Sequence, residues 1–107
     1  MIEVYRVPSE NNKIVMRMTE NNRVLSEASA EIKEGTAVLE YINEYESNVA
    51  YGMGKSILNA IDLAGIKTVI CENKNLVNLL KILGFKEENN VYLLNLTNYF
   101  TTDCKSL

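Results

Sequence analysis

Two glycines followed by a lysine and a serine, Gly52-Met53-Gly54-Lys55-Ser56, are the residues of this chain best suited to chemistry. They stand where an apolar extended run, Thr36-Ala37-Val38-Leu39-Glu40-Tyr41-Ile42, passes through a polar break into a helical pattern. Glycines let backbone N–H groups approach a ligand closely, and a helix start adds unpaired donors at the positive end of its dipole. Phosphate or pyrophosphate fits that combination. The acidic residues beside it are Glu40, the one charge in the apolar run, and Glu44, which opens the stretch Glu44-Tyr45-Glu46. A carboxylate so placed can act as a general base, and a charged strand end can equally be a solvated one.

The sequence contains no histidine, which excludes a Ser-His-Asp triad, a Cys-His pair and any imidazole metal site. Cys71 falls inside an apolar strand and Cys104 in a polar tail, a pattern of free thiols rather than a disulfide framework. Gly54-Lys55-Ser56 has the ending of a P-loop, yet the first glycine of G-x-x-x-x-G-K-[ST] would fall on Val49. Triphosphate hydrolysis is not supported, and Lys55 either contacts a phosphate or is solvated.

Net charge is −3, and the 11 basic residues are scattered singly, so no stripe exists to neutralise a row of nucleic-acid phosphates. No apolar stretch approaches the ~20 residues needed to span a bilayer, and the first residues lack the charge and hydropathy of a secretory leader. The expectation is a cytoplasmic protein that binds neither nucleic acid nor membrane. With 107 residues, 23% of them charged, it should form a single folded domain over 1–107.

The elements that must position these residues follow from periodicity. Ile2–Val7 alternates as a short strand ended by Pro8-Ser9-Glu10-Asn11-Asn12, so that 1–12 is a first strand and turn. Lys13–Glu20 and Arg23–Lys33 form a hairpin about Asn21-Asn22, and Glu34-Gly35 turns the chain into the run from Thr36. From Gly52 the period changes: Met53, Ile57, Ala60, Ile61 and Ala64 mark a helix that Gly65 ends. Thr68–Cys71 is a strand reached by a parallel crossover. Leu76, Leu79, Leu80 and Leu83 form a second helix, capped by Asn73 or Asn75 and closed by Gly84. A charged turn at 86–90 precedes a strand from Val91 to Thr97, and 98–107 is a tail of uncertain order. The fold class is α/β (α+β), a mixed, mostly antiparallel sheet of about six strands with two helices in the order β-β-β-β-α-β-α-β.

That order, with Val49-Ala50-Tyr51-Gly52-Met53-Gly54 at the turn from strand to helix, resembles the GNAT acetyltransferases and their pyrophosphate motif Q/R-x-x-G-x-G/A. Both glycines match, and Val49 stands in place of the Gln or Arg. Asn73, followed eleven residues later by Gly84-Phe85, matches a second pattern of that family. The resemblance covers roughly Lys13 to Leu96. It implies transfer of an acetyl group from acetyl-coenzyme A (acetyl-CoA) to a primary amine. On this resemblance, backbone N–H groups of Tyr41, Ile42 and Glu44 meet the pantetheine arm of CoA. Those of Val49, Ala50, Tyr51, Gly52, Met53, Gly54 and Lys55 hold the pyrophosphate, and Asn73 bonds the arm or caps its helix. Glu40 or Glu44 would be the base that removes a proton from the ammonium of the acceptor. The chain departs from the family at Leu80, where a tyrosine acid often stands, and Tyr41, Tyr45 and Tyr92 are the stand-ins. The two helices that usually follow the first strand are missing as well. These departures leave open a second reading, a catalytically degenerate domain that senses CoA or binds a protein. Under either reading an uncovered sheet face or edge is expected to pair in a homodimer.

Overall fold

The computed structural model describes residues 1–44 and 49–100, with the backbone alone of Glu44. Four strands run as an antiparallel meander: β1 (Ile2–Val7), β2 (Lys13–Glu20), β3 (Arg23–Lys33) and β4 (Thr36–Glu44). Helix α1 (Ala50–Leu63) then crosses to β5 (Thr68–Cys71), which lies parallel to β4. A 3-10 turn (Lys74–Leu76) and helix α2 (Val77–Leu83) lead to β6 (Lys86–Glu88) and β7 (Val91–Asn95). The sheet order is β1-β2-β3-β4-β5-β7-β6.

Two-residue turns set this topology. Asn21-Asn22, Glu34-Gly35 and Asn89-Asn90 each place two successive residues at positive φ, the type I′ geometry whose twist matches a hairpin. The last of these accounts for the one strand beyond expectation. Lys86–Glu88 has the polarity of a turn, but the Asn89-Asn90 reversal folds it back against β7 as an edge strand. Both helices end with a glycine at positive φ and a 6→1 bond: Ile66 N–H to Ile61 C=O and Phe85 N–H to Leu80 C=O.

Both helices pack on one face of the sheet. Ala28, Ala30 and Ala37 beneath them are small enough to let α1 approach closely, and Ile14, Leu39, Ile57, Leu58 and Ile61 fill the space between. No helix among the described residues covers the opposite face. Polar side chains pair with one another there: Arg17 with Glu27, Tyr41 with Glu27, and both Lys13 and Ser29 with Glu40. Beyond β7, Tyr99 donates its hydroxyl to the Leu83 carbonyl at 2.6 Å, so 98–100 are held against α2. The order reaches further into the tail than the sequence suggested.

Candidate active site

Strands β4 and β5 form a fork. Their parallel ladder holds only Thr36–Val38 against Thr68–Ile70, whereas β4 continues to Glu44 with β3 along its other side. From Leu39 onward β4 leaves its ladder with β5. A β-bulge sits at the same place: Ser29 faces Tyr41 and Ala30 faces Leu39, so Glu40 is the extra residue. Bulges kink a strand and re-aim its side chains, and this one turns β4 away from β5.

Asn73 closes the crotch of the fork. Its amide Nδ2 donates to the Glu40 carbonyl at 3.2 Å, and its Oδ1 accepts from Asn75 N–H at 3.0 Å. The side chain therefore caps the 3-10 turn and tethers it to the bulge. Fork, Asn73 and the start of α1 lie together at the carboxyl ends of the parallel strands, where open α/β sheets bind ligands.

Helix α1 begins earlier than the glycines suggested. Its N-cap is Val49, which makes no side-chain cap bond, so Gly52 and Gly54 lie within the first turns and not in a loop ahead of them. Met53 N–H donates to Val49 C=O at 2.9 Å, and the helical pattern engages Gly54 and Lys55 in the same way. The donors without an intrahelical acceptor are those of Val49, Ala50, Tyr51 and Gly52. Of the stretch 49–55 expected to hold an anion, the helix leaves an intrahelical acceptor lacking only for the N–H groups of 49–52. Gly54 has another task, because a β-carbon there would come within 2.8 Å of Leu83 Cδ1; its absence lets α1 and α2 touch. Lys55 is not turned into solvent. Its Nζ lies 4.4 Å from the ring centroid of Tyr99 and 5.3 Å from that of Phe100, within cation–π range.

Glu40 lies on the face away from the helices, about 29% exposed at its side chain. Its Oε1 accepts from Ser29 Oγ at 2.7 Å, and Oε2 meets Lys13 Nζ at 3.4 Å. Beside it, Glu27 accepts a forked bond from Arg17 at 2.6 and 2.8 Å and another from Tyr41 Oη at 2.8 Å. The bond from the guanidinium is the main cause holding the Glu27 carboxyl below its usual range, and the same bond raises Arg17. Sequence reasoning passed over Lys13, Arg17, Glu27 and Ser29. Of the remaining candidates, Tyr41 and Ile42 lie on β4 beyond its ladder with β5. Leu80 is fully buried in the core, and Tyr92 is buried beneath α2. Burial also pushes the Cys71 thiol up. The Glu44 carboxylate, Tyr45, Glu46 and Cys104 lie outside the described residues.

A cavity of about 240 Å³ opens beside Asn73, lined by Glu72, Lys74, Val77, Glu87, Asn90 and Tyr92. Two carboxylates against one ammonium give it a negative balance. Among the described residues no group of acidic or cysteine side chains could hold a metal ion, and no helix is long and apolar enough to cross a membrane.

No protein-family model matches the sequence, and no curated protein matches it. Solved structures do. The ribosomal-protein-S18-alanine N-acetyltransferase of Escherichia coli is similar at a TM-score of 0.75 and 11% identity, over 91% of this chain and 95% of that one. A GNAT-family acetyltransferase of Elizabethkingia anophelis with acetyl-CoA bound matches at 0.72 and 9%, over 89% and 98%. A Bacillus subtilis acetyltransferase in complex with CoA matches at 0.73 and 8%, over 91% and 100%. With the forked β4–β5 pair and the helix start at its mouth, these likenesses show that the chain has the GNAT fold.

Proposed function

We propose that the chain binds acetyl-CoA at the fork and transfers the acetyl group to a primary amine. The observation that carries this reading is the edge of β4 that diverges from β5 beyond Val38 and opens onto the N–H groups at the start of α1 that lack an intrahelical acceptor. An extended arm carrying amides can add to such an edge as a strand would, and a diphosphate suits the helix start. The structures with CoA or acetyl-CoA bound that share this fold support the same ligand.

Leu39 to Ile42 would orient the pantetheine arm, and the N–H groups of Val49 to Gly52 would hold the pyrophosphate through backbone atoms, for which Val49 serves as well as an Arg. Acetyl-CoA supplies an acyl group activated as a thioester. Asn73 fixes the bulge, and with it the course of β4 beyond it, at no cost of reorganisation during the reaction. Glu40 is the base candidate within the fork, with Ser29 and Lys13 fixing the direction of its carboxylate. The cavity bearing Glu72 and Glu87 suits a cationic amine, and Tyr92 on its wall is the group that could return a proton where Leu80 has none to give. Positioning would supply most of the acceleration.

Leu80 favours a second reading: with a buried hydrocarbon where the acid is expected, the domain would bind CoA without turnover. One pair of experiments separates them. A saturating dose of CoA should raise the melting temperature, since a ligand of the native state alone stabilises it. Thiol release from acetyl-CoA should then appear with a panel of polyamines, amino acids and lysine peptides, and fall at least tenfold in Glu40→Gln. Binding without thiol release would establish the sensor, and no thermal shift would refute both.

A further inference from the structure

The two edges of the sheet are β1 and β6. β6 is three residues long, Lys86-Glu87-Glu88, all of them charged and exposed, which is how an edge is protected from pairing. β1 is twice as long, and its charges Glu3 and Arg6 alternate with apolar side chains. It runs six residues in unbroken register with β2 from Ile2 to Val7, without a bulge or a proline. Ile2, Val4 and Tyr5 on it are 53%, 40% and 43% exposed, and with Met1 they make up four of the eight exposed large hydrophobic side chains among the described residues. An edge strand in unbroken register that carries half of those side chains is a template for strand addition.

We propose that β1 pairs antiparallel with β1 of a second copy of this chain, joining two sheets of seven strands into one. The sequence of β1 is complementary to itself in one register. A two-fold axis perpendicular to the sheet keeps the helical faces of both copies on the same side, so directly opposed residues must share a face and their numbers must sum to an even value. At a sum of six, Glu3 opposes the partner's Glu3, and like charges repel. At a sum of ten, Pro8 enters the ladder without an N–H to give. At a sum of eight, Val4 opposes the partner's Val4, Ile2 lies along the alkyl stem of the partner's Arg6, and Glu3 accepts from the hydroxyl of the partner's Tyr5. That register brings the two exposed Val4 side chains together and directly opposes no two like charges.

This pairing is independent of acetyl transfer, and sedimentation velocity on the full chain tests it. The wild type should sediment at twice the monomer mass, and Val4→Lys, which sets two ammonium groups face to face, should halve it. In a Cys104→Ser background, Val4→Cys should form a covalent dimer under mild oxidation or with a short thiol cross-linker. If Val4→Lys does not fold by circular dichroism, the Val4→Cys result decides. A wild type that stays monomeric at its highest soluble concentration would overturn the proposal. So would a Val4→Lys that remains dimeric, or a dimeric Val4→Cys that never cross-links.

Discussion

A β-carbon on Gly54 would lie 2.8 Å from Leu83 Cδ1, while one on Gly52 would meet only Met18 Cε at 3.9 Å. The two glycines therefore separate packing from ligand approach. Leu83 is almost wholly buried, so Gly54→Ala must overpack the α1–α2 contact, at a cost of about 1–3 kcal/mol that exceeds the helical gain of about 1 kcal/mol. Gly52→Ala keeps the helical gain and should raise stability by a few tenths of a kcal/mol up to about 1 kcal/mol. Urea denaturation of both variants should show opposite signs, and a destabilised Gly52→Ala would contradict the assignment. The glycine pattern was legible in the sequence, but the division of labour was not: Gly54 faces Leu83, far along the chain, whose approach no local pattern announces.

At the scale of elements, the Arg17–Glu27–Tyr41 bonds clamp β2, β3 and β4 together on the face without helices. The folded pKa of Glu27 lies below the unfolded value of ~4.3, so the unfolded state binds more protons between the two and stability rises with pH there. The contribution of the clamp is complete above the unfolded value and is lost as pH falls through the folded one. Thermal melts should therefore show the wild type more stable than Glu27→Gln near neutrality, with the difference shrinking in acid. A difference unchanged through that range would contradict the clamp. The sequence hid this pair because Arg17 stands four residues before Asn21-Asn22 and Glu27 five after it, and the bulge at Leu25 absorbs the mismatch. It hid β6 because Lys-Glu-Glu carries no apolar period, and the bulge at Glu40 because the run Thr36–Ile42 is apolar on both faces apart from that one charge. The remaining strands, both helices and their glycine ends were readable from alternation, helical spacing and positive-φ turn residues.

At the scale of the whole molecule, the two helices among the described residues lie on one face of a seven-stranded sheet, with the fork open at one end and no helix over the polar face. Ligand binding should then register on two separate segments at once, β4 beyond Val38 and the first turn of α1, with the rest of the sheet quiet. Amide NMR during a CoA titration measures this residue by residue. Resonances of Leu39–Ile42 and Val49–Gly52 should shift together and saturate with one dissociation constant, while those of β1 and β6 stay in place. Saturating CoA that left both segments unmoved, or that shifted a different surface alone, would contradict the account.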